Sequence, residues 1–95
     1  MARGANRMFE WDEAKRRANL AKHGVDFTLV EAFEFETALV EADERRAYGE
    51  DRKTALGFIG PRLYVLVFVT RSGLVRVISL RKANRREMER YAHGL

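Results

Sequence analysis

Residues Leu63–Val69, Leu-Tyr-Val-Leu-Val-Phe-Val, are apolar at odd and even positions alike. The run is rich in β-branched and aromatic side chains, which suits a pleated strand. A strand with one solvated face would alternate apolar and polar residues, so this one must be central and covered on both faces. The rest of the chain must therefore supply a neighbour on each side and cover above and below. Arg52–Ile59 and Leu74–Leu80 read as those neighbours, with Arg62–Thr70 between them. Gly60-Pro61 and Ser72-Gly73 are the two-residue punctuation of β-hairpins. Thr37–Ala42 reads as a fourth strand, set off by the polar loop Asp43–Asp51.

The cover comes from the flanks. Phe9–Trp11 reads as a short edge strand leading into a helix capped by Asp12. Trp11, Ala14, Ala18 and Ala21 fall at helical spacing and predict its buried stripe. Gly24 closes that helix, with Lys22 and His23 complementing its carbonyl end. Asp26 is a second cap, and Phe27, Val30 and Phe33 suggest a short second helix. At the other end, Asn84 and Glu87 have the spacing of a capping box, and Met88, Tyr91 and Ala92 form an apolar stripe. The expectation is an α+β fold, N-terminal helices and a C-terminal helix on a small antiparallel sheet. A length of 95 residues supports one domain, residues 1–95, with Met1–Arg7 as a loose leader.

Composition narrows the chemistry. The chain has no Cys and two His, which excludes a thiolate nucleophile and offers no metal-ligand spacing. Gly57 and Gly60 fall in a strand and its turn, so no glycine-rich loop cradles a nucleotide phosphate. No apolar stretch approaches the roughly 20 residues that span a bilayer, and Met1–Arg7 lacks the apolar middle of a secretory signal. A cytoplasmic protein without metal, cofactor or membrane partner is expected.

The net charge of +4 is unevenly placed: residues 31–51 carry eight acidic and two basic side chains, residues 71–95 seven basic and two acidic. Two-residue hairpin loops would set Arg52 opposite Val69 and Val69 opposite Arg76. Arg52, Arg71 and Arg76 would then share one face. Such a group fits a phosphate held by planar guanidinium forks. It fits equally a set of ion pairs with the acidic middle segment. The strip Arg81-Lys82-Ala83-Asn84-Arg85-Arg86 can track a polyanion, Arg81 standing beside a strand end, or can be a solvated helix start. Lys22 and His23 can neutralise a phosphoryl oxygen and move a proton, or can serve only the helix terminus. His93, close to the end, is expected to fray.

Two separated stretches carry a family resemblance. Phe-Glu-Trp-Asp-Glu-Ala-Lys (9–15), with Asn19 and Lys-His-Gly-Val-Asp-Phe (22–27), resembles the opening signature of the BrnT family of type II toxins. Arg-Val-Ile-Ser-Leu-Arg-Lys-Ala (76–83), with Glu87, Arg90 and Tyr91, resembles its closing signature, and Ala-Leu-Gly (55–57) and Arg71 also fit. The resemblance spans about residues 8–92. It departs where Thr70 replaces a frequent acidic residue, Leu74 a basic one and Leu80 a small alanine. It implies a fold similar to RelE-type ribonuclease toxins, RNA as substrate and a BrnA-like antitoxin as partner. Operator DNA would be bound only through the antitoxin complex, and translation would be inhibited.

On that basis a metal-independent cleavage is expected, the ribose 2′-hydroxyl attacking the adjacent phosphorus. Arg71 and Arg76 would hold the phosphate with Arg81 at the strand end. Lys22 and His23 would stand at the rim, and Arg52, Lys82 and Arg85 would contact RNA. Glu36 is a possible base. The alternative is a module that binds nucleic acid or the antitoxin without catalysis.

Overall fold

The computed structural model describes residues 2–3, 8–42 and 51–94. Among the described residues six strands form one sheet: β1 (Ala2–Arg3), β2 (Phe9–Trp11), β3 (Leu39–Ala42), β4 (Lys53–Ile59), β5 (Arg62–Arg71) and β6 (Leu74–Lys82). Their spatial order is β1-β2-β6-β5-β4-β3. As the apolar run demands, β5 is interior, and Leu63 to Val69 are all buried. The hairpins close as read. Ile59 pairs with Arg62 and Arg71 with Leu74. Ser72 and Gly73 both have positive φ, 53° and 79°. That is the primed turn whose twist matches the strands it joins.

The α+β class holds, but the sheet is mixed. β2 lies parallel to β6, with Phe9 beside Val75 and Glu10 beside Arg76. A three-residue strand has too short a pattern to announce its partner or direction, and burial of Phe9 and Trp11 on one face decides both. Ala2–Arg3 pair with Glu10–Trp11 where a loose leader was expected. Residues 4–7 and most of the expected 43–51 loop lie outside the described residues.

The helices differ from their sequence reading. α1 (Glu13–His23) is capped by Asp12, whose carboxylate accepts from Ala14 N at 2.8 Å, and ends at Gly24. Its alanine stripe faces solvent, and the residue it buries is Asn19. The second helix is a 3-10 helix, Phe27–Ala32. α2 (Arg85–Ala92) has the expected capping box, Asn84 and Glu87 each accepting the other's backbone N–H at 2.8 Å. Of its apolar stripe, Met88 and Ala92 are exposed and Tyr91 packs. His93 is not frayed; it forms the C-cap, its N–H donating to Arg90 and Glu89.

The two faces of the sheet carry separate cores. The back core joins Phe9, Trp11, Phe27, Val30, Phe33, Leu66, Phe68 and Leu80 under the 3-10 helix. The front core joins Leu56, Leu63, Val65 and Ala83, with Phe58 and Tyr91 at its edge. Tyr91 stands edge-on to Phe58 at 5.3 Å and donates its hydroxyl to Thr37 O at 2.8 Å, pinning α2 to one end of the front. Glu41 of β3 holds Arg90 of α2. The other end of that face carries the charged row described next.

Candidate functional site

Strict alternation would place Arg76 and Arg81, five residues apart, on opposite faces of the sheet. The ladder shows why they share one. Val69 pairs with Arg76 and Phe68 with Val77, but Val67 pairs with Ser79, leaving Ile78 as the extra residue of a β-bulge. After the bulge Leu66 meets Leu80 and Val65 meets Arg81. Odd-numbered residues of β5 face the front, so Arg76, Ser79 and Arg81 form a front row along β6. Arg71, two residues beyond Val69 in β5, belongs to the same face. The ladder between β4 and β5 starts at Lys53–Phe68, so Arg52 stands just outside the pairing expected for it, half-buried.

α1 reaches this row through Asn19. Its amide donates to Leu80 O at 2.7 Å and to Val25 O at 3.0 Å, while its oxygen accepts from Leu80 N at 3.2 Å. One side chain thus completes the free edge of β6 as a neighbouring strand would. The buried face of α1 is polar for this reason, and an apolar stripe search cannot find it. Arg16, one turn earlier, donates to Glu13 and to Asp26, which caps the 3-10 helix. The Asp26 carboxyl is held below its ordinary range, chiefly by the Thr28 N–H and further by Arg16.

Anchored this way, α1 and β6 enclose a cleft of about 220 Å³ lined by Lys15, Ala18, Asn19, Lys22, His23, Ile78 and Ser79. Both expected rim residues, Lys22 and His23, are here, joined by Lys15 and Ser79, which the sequence reading did not single out. Lys15 and Lys22 are seven residues apart, two helical turns on one face. The His23 imidazolium is disfavoured by burial first, then by the charges of Lys22 and Arg81, so its pKa lies below the ordinary value of 6.5. At neutral pH His23 is a neutral imidazole able to take a proton.

The arginines are not equivalent. Arg81 grips Glu87 with both terminal guanidinium nitrogens, at 2.9 and 2.7 Å. That hydrogen bond raises its pKa and holds the Glu87 carboxyl low. The carboxylate comes from the capping box of α2, not from the acidic middle segment. Arg52 and Arg71 have interactions of their own. Arg76 has no ion pair among the described residues and is half-buried beside Glu10. Lys82 pairs with Tyr64 and emerges on the back. Arg85 projects into solvent from α2, 3.8 Å from Glu89. Glu36 is exposed next to Phe35 of the back core and does not line the cleft. The cleft brings together Lys22, His23 and Ser79, Arg81 lies within electrostatic reach of His23, Arg71 and Arg76 share the face of the row, and Lys82, Arg85 and Glu36 are outside the cleft lining.

Chemically, the site offers fixed positive charge, one neutral imidazole and a hydroxyl beside an open cleft. Among the described residues no group of three His, Cys, Asp or Glu side chains could hold a metal. No helix among them is long and apolar enough to cross a membrane. A family model described as "Ribonuclease toxin, BrnT, of type II toxin-antitoxin system" matches residues 11–87, from the last residue of β2 into α2. No curated protein matches the chain.

Proposed function

This chain belongs to the BrnT family of ribonuclease toxins of type II toxin–antitoxin systems, and from that premise we propose that it cleaves RNA without a metal ion at the front row of β6. The ribose 2′-hydroxyl attacks the adjacent phosphorus as its proton passes to neutral His23. The P–O5′ bond breaks as the new one forms, the leaving 5′-oxygen takes a proton from solvent water, and the products are a 2′,3′-cyclic phosphate and a free 5′-hydroxyl. Arg76, helped by Arg71, holds the non-bridging oxygens, where charge grows as the phosphorus becomes five-coordinate. Lys22 neutralises the approaching backbone from the cleft wall. Arg81, already committed to Glu87, shapes the site's electrostatics and depresses the His23 pKa more than it grips substrate.

The observation that supports this reading is that Ser79, which lines the α1 cleft with Lys22 and His23, shares its face of β6 with Arg76 and Arg81. Degraded messages would halt translation in the cytoplasm. A BrnA-like antitoxin would neutralise the toxin and carry the complex to operator DNA. Kinship of this layout with RelE-type ribonucleases belongs to the same proposal.

The test is single-turnover cleavage of a labelled RNA in excess chelator. Wild-type protein should cleave and leave cyclic phosphate ends, and Arg76→Ala should slow the step about a hundredfold, the scale of other lost oxyanion donors. Loss of wild-type cleavage in chelator would refute metal independence. An Arg76→Ala protein that cuts at the wild-type rate would refute the assigned centre.

A further inference from the structure

The α1 cleft holds a second lysine that the cleavage step leaves unused. Lys15 and Lys22 both line it, Lys22 beside His23. Seven residues of helix separate the two lysines, which sets their Cα atoms about 10.5 Å apart. Both Cα–Cβ bonds lean toward the helix N-terminus, so the stems run side by side and the ammonium groups keep roughly that spacing. One phosphate group is too small to meet both in that arrangement, whereas two successive linkages of an extended strand can. Ala18, on the same helix face between the lysines, and Ile78 across the cleft put an apolar patch between the two charges. The order cation, apolar patch, cation mirrors the polynucleotide repeat of phosphate, nucleoside, phosphate.

Helix stability does not account for Lys15. It is the third residue of α1, inside the first turn, where the helix dipole disfavours a cation. Lys22, in the last turn, is favoured there. Both lysines are exposed, and neither has an ion pair among the described residues. The carboxylates around them are taken: Asp12 by the cap of α1, Glu13 and Asp26 by Arg16, Glu87 by Arg81. No acidic residue lines the cleft. Its two ammonium groups therefore face solvent without a counterion from these neighbours.

We propose that Lys15 forms a second phosphate subsite, holding the linkage next to the one that is cut while the intervening nucleotide lies over Ala18 and Ile78. The inference rests on the ribonuclease reading above and adds a preference for RNA that carries a phosphate beyond the scissile one.

Mixed-sequence RNA dinucleotides, bare or with an extra phosphate at the 5′ or the 3′ end, test it on the full-length chain. With wild-type protein the extra phosphate at one of the two ends should raise kcat/KM about tenfold, the scale of one charge-assisted hydrogen bond. Lys15→Ala should remove that gain, through KM rather than kcat, and Lys15→Arg should keep it. The 2′-deoxy forms lack the attacking hydroxyl and read binding alone. The same end phosphate should tighten them about tenfold in NMR titration, and Lys15→Ala should remove the tightening. No gain from either phosphate, or a gain that survives Lys15→Ala, would overturn the subsite. Chelator-resistant cleavage without a Lys15-dependent gain leaves the ribonuclease reading standing and removes this inference. A Lys15-dependent gain in 2′-deoxy binding without cleavage of the ribose forms does the reverse.

Discussion

Replacing Asn19 by Ala tests how the site is held together. The substitution deletes the hydrogen bonds to Leu80 O, from Leu80 N and to Val25 O. Leu80 is fully buried, so water cannot readily replace the partner of its N–H or C=O. Each orphaned group costs roughly 1–3 kcal/mol. All three groups are counted at the low end of that range. The expected loss is about 3 kcal/mol. For a domain this size that corresponds to roughly 12–24 °C in Tm. Urea unfolding should show a lower midpoint with unchanged m-value. Asn19→Asp adds a sign to the test. Its carboxylate would face two carbonyls from a buried position, so its folded pKa would be raised above the unfolded value of ~3.9. Its stability would then be greatest at low pH and fall as pH rises through the folded pKa. A cost below about 1 kcal/mol for Asn19→Ala, or no pH slope for Asn19→Asp, would refute the view that this side chain stands in for a strand.

Other outcomes follow from the same geometry. The depressed His23 pKa means that the unfolded state binds the proton more readily, so stability should decline as pH falls from about 6.5. His23→Gln should flatten that slope in pH-dependent denaturation while slowing cleavage. A Cβ on Gly57 would meet Phe33 Cζ at 2.5 Å, so Gly57→Ala should cost about 1–3 kcal/mol in urea unfolding. Deleting Ile78 should leave a folded protein with the same strand pairs, seen as unchanged cross-strand amide contacts by NMR. Deleting Val65, which pairs with Leu56 and Arg81, should leave insoluble protein.

The features legible in the sequence were those set by neighbours in the chain. Both hairpin registers followed from two-residue turns, which put Arg71 and Arg76 on one face. The caps at Asp12, Asp26 and Asn84 followed from side chains that bond within three residues. What escaped depends on distant segments. The parallel pairing of Phe9–Glu10 with Val75–Arg76 joins strands far apart in the chain. Asn19 reads as an ordinary polar helix residue until the edge of β6 is known, and its neighbouring alanines drew attention to the wrong face. Ile78-Ser79 carries no glycine to mark a bulge. Glu87 reads as a capping residue and as part of the closing signature, and neither reading shows that it holds Arg81. With Lys82 on the other face, that tie divides the strip beginning at Arg81 into separately placed side chains.

The irregularity at Ile78 has a meaning for how such a chain can vary. Every other position in β4, β5 and β6 is locked into an in–out phase that a lost residue would invert, exchanging interior for exterior along the remainder of the strand. At Ile78 one residue is held in reserve. A deletion there only straightens the ribbon, so this is the point where β6 can change length and keep its cations and its leucine on the sides they now occupy.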